Sequence, residues 1–108
     1  MVCVLEDVIK RYGGRLVLRQ GEKRVVFRGF LQHSRSKSLQ NMERVYGPLG
    51  EIPGGRFLLM APMHVAISVG DIIEQKNRTF TVQRIETVTV KDREVYRWGL
   101  CTERSVDP

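Results

Sequence analysis

Residues 70–101 read GDIIEQKNRTFTVQRIETVTVKDREVYRWGLC, and this stretch has the strongest pattern in the chain. Three runs rich in β-branched and aromatic residues are separated by the turn sequences Lys76-Asn77 and Lys91-Asp92. Such runs, bounded by short polar turns, are typical of antiparallel strands. The stretch therefore predicts a three-stranded β-meander, and its last strand contains the lone tryptophan of the chain.

The second run of this stretch changes phase in its middle. Phe80 and Val82 fall on one face of a strand, Ile85 falls on the other, and the valines after it return to the first face. A slip of this kind predicts a bulge or a sharp bend near residues 84–86. Bulges of this kind curl a flat sheet toward a barrel.

The third run alternates large apolar residues with smaller or polar ones. Tyr96, Trp98 and Leu100 share one face, and because of their size we expect that face to be the inner one. Together with the face-sharing residues of earlier strands they form the predicted core: Phe27, Leu31, Phe80, Val82, Tyr96, Trp98 and Leu100.

The first third of the chain predicts one helix followed by a hairpin. Apolar residues within residues 1–14 recur at helical spacing, and a pair of glycines supplies a C-terminal stop. In residues 15–33 the period changes to two around the turn sequence GEK at 21–23, which predicts two antiparallel strands. Gly29 interrupts the second of these strands and predicts a bend or a point of close packing.

Residues 34–55 break the strand pattern with glycine, proline and serine, and they predict a long loop. A loop of this length in a compact domain is either functional or an ordinary surface loop. Residues 56–104 predict the β-meander that completes the barrel, beginning with a strand that breaks near Pro62 and resumes at His64–Ile67, and residues 105–108 form a tail. The whole chain, residues 1–108, predicts a single mainly-β domain: a small barrel of about six strands with one short N-terminal helix and a long loop after the first hairpin.

The positive charge of the chain is concentrated in its first half. The net charge is +6, and residues 10–44 alone hold ten Lys and Arg against two Glu. Such a block attracts a polyanion or an acidic protein, although a solvated face without a ligand has the same composition. Arg35, Lys37 and Arg44 fall in the predicted loop and are the candidates for contact with a partner.

Residue types that carry chemistry are few and scattered. His33 and His64 have no carboxylate or nucleophile close to them in the sequence, and no spacing typical of a metal site occurs. Cys3 and Cys101 predict free, buried thiols rather than a disulfide. The sequence therefore predicts neither an enzyme nor a bound metal or cofactor.

The sequence also predicts a protein without a membrane-spanning segment. No apolar run reaches the ~20 residues that a bilayer span requires. The first residues lack the basic and apolar regions of a signal peptide. We therefore expect the chain to be made and kept in a cytoplasm.

Several short motifs resemble those of one group of viral proteins. The motifs are Gly70-Asp71, the aromatic-Thr-Val sequence at 80–82, Glu86, VYRWGL at 95–100 and FRGFLQHSRSKSLQNM at 27–42. Together they resemble motifs of the small head–tail connector proteins of tailed phages and prophages, and among these the head-closure, or stopper, proteins. The likeness extends from residue 16 to residue 104.

The resemblance implies a β-barrel subunit that forms a ring of six or twelve copies at the head–tail junction of a virion. Its partners would be a portal or adaptor protein on one side and a tail tube or terminator protein on the other. The long loop would reach toward the central channel and help to hold packaged DNA in place. The resemblance assigns no single residue of this loop, and Arg35, Lys37 and Arg44 are channel-facing or partner-facing candidates because of their charge. Assembly would take place in the host cytoplasm.

Two alternatives remain open from the sequence. The first is a tail-completion or tail-terminator ring, which differs from a head-closure ring only in its position in the particle. The second is a monomeric OB-like or SH3-like barrel that binds nucleic acid. This second alternative requires exposed aromatic residues among the basic ones, and the predicted core faces contain most of the aromatic residues.

Overall fold

The computed structural model describes residues 4–37 and 56–104. These residues form one helix and six antiparallel strands: α1 Val4–Tyr12, β1 Gly14–Gln20, β2 Lys23–His33, β3 Phe57–Pro62, β4 Ile72–Gln75, β5 Arg78–Val90 and β6 Arg93–Glu103. The strands close into a barrel in the order β1-β2-β3-β6-β5-β4. The predicted small barrel of about six strands with one short helix is confirmed.

Two long-range pairings close the barrel. At one seam β4 returns to β1, so that Leu18 lies opposite Ile73. At the other, β3 pairs with β2 along one edge through residues 57–60 and with β6 along the other edge over its full length. The meander predicted for residues 70–101 therefore comprises β4, β5 and β6, whereas β3 lies between β2 and β6.

The interior of the barrel is a continuous apolar cluster. Four of the predicted core residues, Phe27, Leu31, Phe80 and Val82, belong to it. Its other buried members are Leu16, Leu18, Phe57, Leu59, Ala61, Val65, Ile67, Ile73 and Cys101. Full burial of one such aliphatic or aromatic side chain contributes about 1.5–3 kcal/mol, so this cluster is the main source of stability.

The predicted inward face of β6 is wrong. Cys101 lies opposite Val82 on one side and Phe57 on the other, and all three belong to the inner cluster. Because side chains alternate along a strand, Leu100 and Trp98 lie on the outer face.

The physical reason is that side-chain size does not decide which face of β6 is enclosed. Pairing with β3 places the small Gly99 and Cys101 on the inner face and leaves the larger side chains on the outer one. Leu100 is still buried, since it lies opposite the buried Leu58 on the outer side of β3. Tyr96 and Trp98 are only partly buried.

A bulge in β5 changes its phase close to the predicted position. Val82 lies opposite Cys101 and Arg84 opposite Leu100, so Gln83 is the extra residue. The bulge returns Ile85 to the inner face, where it packs against the cluster. A second shift in the pairing lies farther along the same hairpin.

Two glycines allow close approach of neighbouring strands. A methyl group at Gly99 would overlap the carbonyl oxygen of Arg84 next to the bulge. A methyl group at Gly29 would lie 2.8 Å from the carbonyl oxygen of Met60, which confirms the predicted close packing there. Neither position accepts a larger residue without a shift of the backbone.

The helix covers part of the outer surface of the barrel. It ends at Tyr12, earlier than the predicted 1–14, because Gly14 already belongs to β1. The helix packs against β2 and β3, and the ring of Tyr12 meets that of Phe30 edge-on at 6.5 Å. Phe30 is fully buried although it lies outside the barrel interior, since it pairs with Met60 on the outer face.

The segment after β3 closes one end of the barrel without forming a strand. The sequence predicts that the strand resumes at His64, but β3 ends at Pro62 and His64 is exposed. Val65 and Ile67 nevertheless enter the inner cluster. Asp71 fixes the end of the segment, because its carboxylate accepts hydrogen bonds from the Ser68 backbone N–H and the Gln20 side chain. Within the described residues, no helix has the length and apolar composition needed to cross a membrane.

Candidate partner-binding surfaces

The basic residues predicted to contact a partner are only partly described. Arg35 and Lys37 follow β2 and are exposed. The backbone N–H of Arg35 donates to Nδ1 of His33 at 3.1 Å, which fixes the first turn after the strand. Arg44, and most of the predicted loop 34–55, lie outside the described residues.

The outer face of the β1–β2 hairpin carries four further arginines in two directly opposed pairs. Arg15 lies opposite Arg28, and Arg19 opposite Arg24. All four side chains are exposed. Strand alternation alone did not predict these pairs, although the register follows from the two-residue turn that places Gln20 opposite Lys23.

The two arginine pairs differ in their counter-charge. Arg19 and Arg24 share the carboxylate of Glu74 on β4, at 3.8 Å and 3.1 Å. No ion pair among the described residues includes Arg15 or Arg28.

Next to Arg15 the surface forms an open groove of about 350 Å³, at the junction of α1, β1 and the β4–β5 turn. Its lining residues are Tyr12, Gly13, Gly14, Arg15, Gln75 and Lys76. One end of the barrel wall is therefore strongly cationic.

The β5–β6 hairpin extends beyond the rest of the barrel. Thr81 is the last residue of β5 that pairs with β4, and Tyr96 is the first residue of β6 that pairs with β3. We call residues 87–95 the hairpin arm. Most of the arm is exposed, including Val90 at its tip at 46%. A ribbon with unpaired edges is a ready surface for contact with another chain.

A small apolar patch lies on the outer face of β3 and β6. Leu58, Met60, Tyr96 and Trp98 line a shallow cavity of about 20 Å³. The guanidinium of Arg84 lies 5.3 Å from the centre of the Trp98 ring, a distance typical of a cation–π contact. The position of Trp98 on the outer face means that an aromatic side chain and a cation share part of the surface.

An arginine–carboxylate pair closes one end of the barrel. Nε and a terminal nitrogen of Arg78 donate to the two carboxylate oxygens of Glu103 at 2.7 Å and 2.8 Å. The guanidinium also lies over the rings of Phe57 and Phe80, at 5.1 Å and 5.3 Å from their centres. The hydrogen bonds to Arg78 lower the pKa of Glu103 and raise that of Arg78.

The residue types capable of catalysis are dispersed in the described part of the chain. Cys101 is a free, buried thiol, as predicted, and burial raises its pKa to about 12; Cys3 lies outside the described residues. The ring of His33 meets that of Phe57 edge-on at 5.1 Å, and His64 is exposed. The described residues contain no cluster of three His, Cys, Asp or Glu side chains arranged to hold a metal ion.

No protein-family model, curated protein or solved structure matches the chain.

Proposed function

We propose that the chain is a structural subunit of a tailed-phage or prophage particle, a head-closure protein that forms a ring between the portal and the tail. The observation that carries this proposal is the position of the motifs that resemble the family. Phe80 and Val82 lie in the inner cluster, and VYRWGL at 95–100 forms the centre of β6. The likeness therefore lies in the residues that build the barrel.

The hairpin arm supplies the surface that such a ring requires. Repeated contact around a ring joins two different surfaces of each subunit. The barrel strands are paired on both sides, whereas the arm extends past them and exposes Val90. In the proposed ring, the arm of one subunit packs against the barrel wall of the next.

The role proposed for the subunit is assembly rather than catalysis. Its partners are further copies of itself, a portal or adaptor protein, a tail tube or terminator protein, and packaged DNA. The basic residues of the first half, with Arg35, Lys37 and Arg44 as candidates, meet DNA through non-specific attraction to phosphates. The same geometry serves a tail-completion or terminator ring, which differs only in its position in the particle.

One observation favours a second function. Trp98 and Tyr96 lie on the outer face and Arg84 lies beside the Trp98 ring. Aromatic rings beside cations are the surface on which single-stranded nucleic acids stack, at about 1–3 kcal/mol per base. A monomeric nucleic-acid-binding barrel is therefore the alternative to test.

The test combines the number of copies in the oligomer with the affinity of the monomer for DNA. Native mass spectrometry over a range of concentrations measures the number of copies, and we expect rings of six or twelve. A Val90→Asp variant, which places a charge at the tip of the arm, is expected to remain folded and monomeric. Fluorescence anisotropy then measures the binding of single- and double-stranded oligonucleotides to that monomer.

For a ring subunit we expect weak DNA binding by the monomer, with affinity that falls steeply as salt rises. Micromolar or tighter binding by a demonstrated monomer at physiological salt would overturn the proposal. Loss of such binding in Trp98→Ala would establish the stacking function instead.

A further inference from the structure

We propose that Lys76, Arg15 and Arg28 form a basic row across the outer wall of the barrel, and that this row binds the phosphate backbone of double-stranded DNA. The identity of the polyanion as DNA rests on the proposed function. The row itself rests on strand register, exposure and charge.

Strand register pairs two of the three cations, and a shared groove adds the third. Arg15 lies directly opposite Arg28 in the β1–β2 pairing, and these neighbouring strands are about 4.8 Å apart. On the other side of β1, the pairing with β4 ends at Val17 and Glu74, and Lys76 follows in the β4–β5 turn with a φ of 54°. Arg15 and Lys76 line the same groove, and all three side chains are exposed.

The charge of the basic row is not neutralised within the described residues. Like charges directly opposite each other destabilise a sheet, yet Arg15 and Arg28 form none of the ion pairs in this part of the chain. Arg19 and Arg24, four residues farther along the same hairpin, share Glu74. On the same wall, one arginine pair is therefore neutralised in part by a carboxylate, whereas the positive charges of Arg15 and Arg28 still repel each other. Two opposed arginines without a carboxylate leave their positive charge available to an external anion.

The chemistry of the row fits phosphates on a duplex. DNA carries one negative charge per about 1.7 Å of its axis, so a row of neighbouring cations meets several phosphates. Guanidinium groups bind phosphate oxygens through two parallel N–H donors. The ring of Tyr12, the aromatic residue of the groove, is held edge-on against Phe30. Contact with the backbone is therefore favoured over stacking on the bases of a single strand.

The surroundings of the row favour DNA over an acidic protein. The centres of protein–protein interfaces are depleted of charged residues. On this wall the exposed apolar side chain is Val26, at 57%, and it lies on β2 between Arg24 and Arg28. Interfaces with DNA are polar and much more positively charged, which matches this composition.

The test is fluorescence anisotropy with a labelled DNA duplex at about 50 mM salt and upward, where weak backbone contacts are measurable. In the Arg15→Gln/Arg28→Gln double variant, we expect the affinity to fall at least about tenfold. The slope of log affinity against log salt should decrease by about 1.8, because two phosphate contacts are lost. The melting temperature of the same variant should rise, because the repulsion between the two arginines is removed.

Three further variants make this result specific. Lys23→Gln/Arg104→Gln removes the same net charge from exposed positions outside the row and the arm, and should leave the affinity nearly unchanged. Glu74→Gln frees the charge of Arg19 and Arg24 and should strengthen binding. Arg15→Lys/Arg28→Lys keeps the charge without the planar fork and should weaken binding less than the glutamine variant.

Several outcomes would overturn the proposal of the basic row. These are equal loss of affinity in the Lys23→Gln/Arg104→Gln control and the row variant, tighter binding of a single strand than of a duplex, and equal or tighter binding of polyglutamate. A lower melting temperature in Arg15→Gln/Arg28→Gln would also count against the row, because it would show that the two arginines stabilise the fold. The proposed function is tested separately, by the copy number from native mass spectrometry.

Discussion

The inner and outer faces of the barrel wall are both rich in apolar residues, but they differ in how completely those residues are enclosed. On the inner face, Phe80, Val82 and Cys101 are fully buried in one cluster. On the outer face of the same two strands, Trp98 and Tyr96 are partly buried and the guanidinium of Arg84 covers the Trp98 ring. The comparison shows that an apolar strand face is enclosed only where another part of the chain covers it, as the closed sheet covers Phe80 and the helix covers Phe30.

The largest effect should come from the inner face. Phe80→Ala removes a side chain with no solvent exposure, whose ring lies 4.7 Å from that of Phe57. We expect the free energy of unfolding to fall by about 3–5 kcal/mol, because a large cavity opens in a closed cluster. Urea denaturation followed by tryptophan fluorescence measures it. A loss below about 1.5 kcal/mol would show that the inner cluster is not the main stabilising unit.

A smaller effect is expected on the outer face. If Trp98 were a core residue, its truncation to alanine would also cost about 3–5 kcal/mol. Since the ring is only partly buried, Trp98→Ala should lower the free energy of unfolding by about 1–2 kcal/mol.

Because Trp98 is the only tryptophan, circular dichroism replaces fluorescence as the probe for this variant. Arg84→Gln is the matched control, because it removes the cation above the ring and leaves the ring in place. A Trp98→Ala loss equal to that of Phe80→Ala would mean that the outer patch is enclosed as completely as the core.

The sequence predicts the elements of this fold better than their long-range arrangement. Local patterns are sufficient for the meander, the first hairpin, the single helix and the bulge near Gln83, because each depends on neighbouring residues. The burial of Phe27 and Phe80 also follows from local alternation. The inner face of β6 does not, because side-chain size favours the face of Trp98 whereas the pairing with β3 encloses the face of Cys101.

The candidate sites depend even more on long-range pairing. The opposition of Arg15 and Arg28 follows from a local turn, but the addition of Lys76 to that row requires the seam between β1 and β4. The pair formed by Arg78 and Glu103 joins residues 25 positions apart. Periodicity within a strand contains no information about such contacts.

The smallest effect should come from the ion pair at the end of the barrel, and it should depend on pH. The hydrogen bonds from Arg78 hold the pKa of Glu103 below its usual value. A carboxylate whose pKa is lower in the folded than in the unfolded state stabilises the fold above the unfolded pKa. That contribution disappears as the pH falls through the folded pKa. Both side chains are largely exposed, so the effect should be small and should weaken in high salt.

Glu103→Gln tests this dependence directly. We expect the parent protein to melt at a higher temperature than the variant between about pH 5.5 and pH 7, and the difference to shrink toward zero below about pH 4. Arg78→Lys is the companion variant, because lysine keeps the positive charge but loses the two parallel donors and the planar contact with Phe57 and Phe80. It should retain only part of the pH-dependent difference. Parallel melting curves for the parent and Glu103→Gln from pH 7 to pH 3 would show that the pair does not stabilise the barrel, and that the inner cluster holds this end closed by itself.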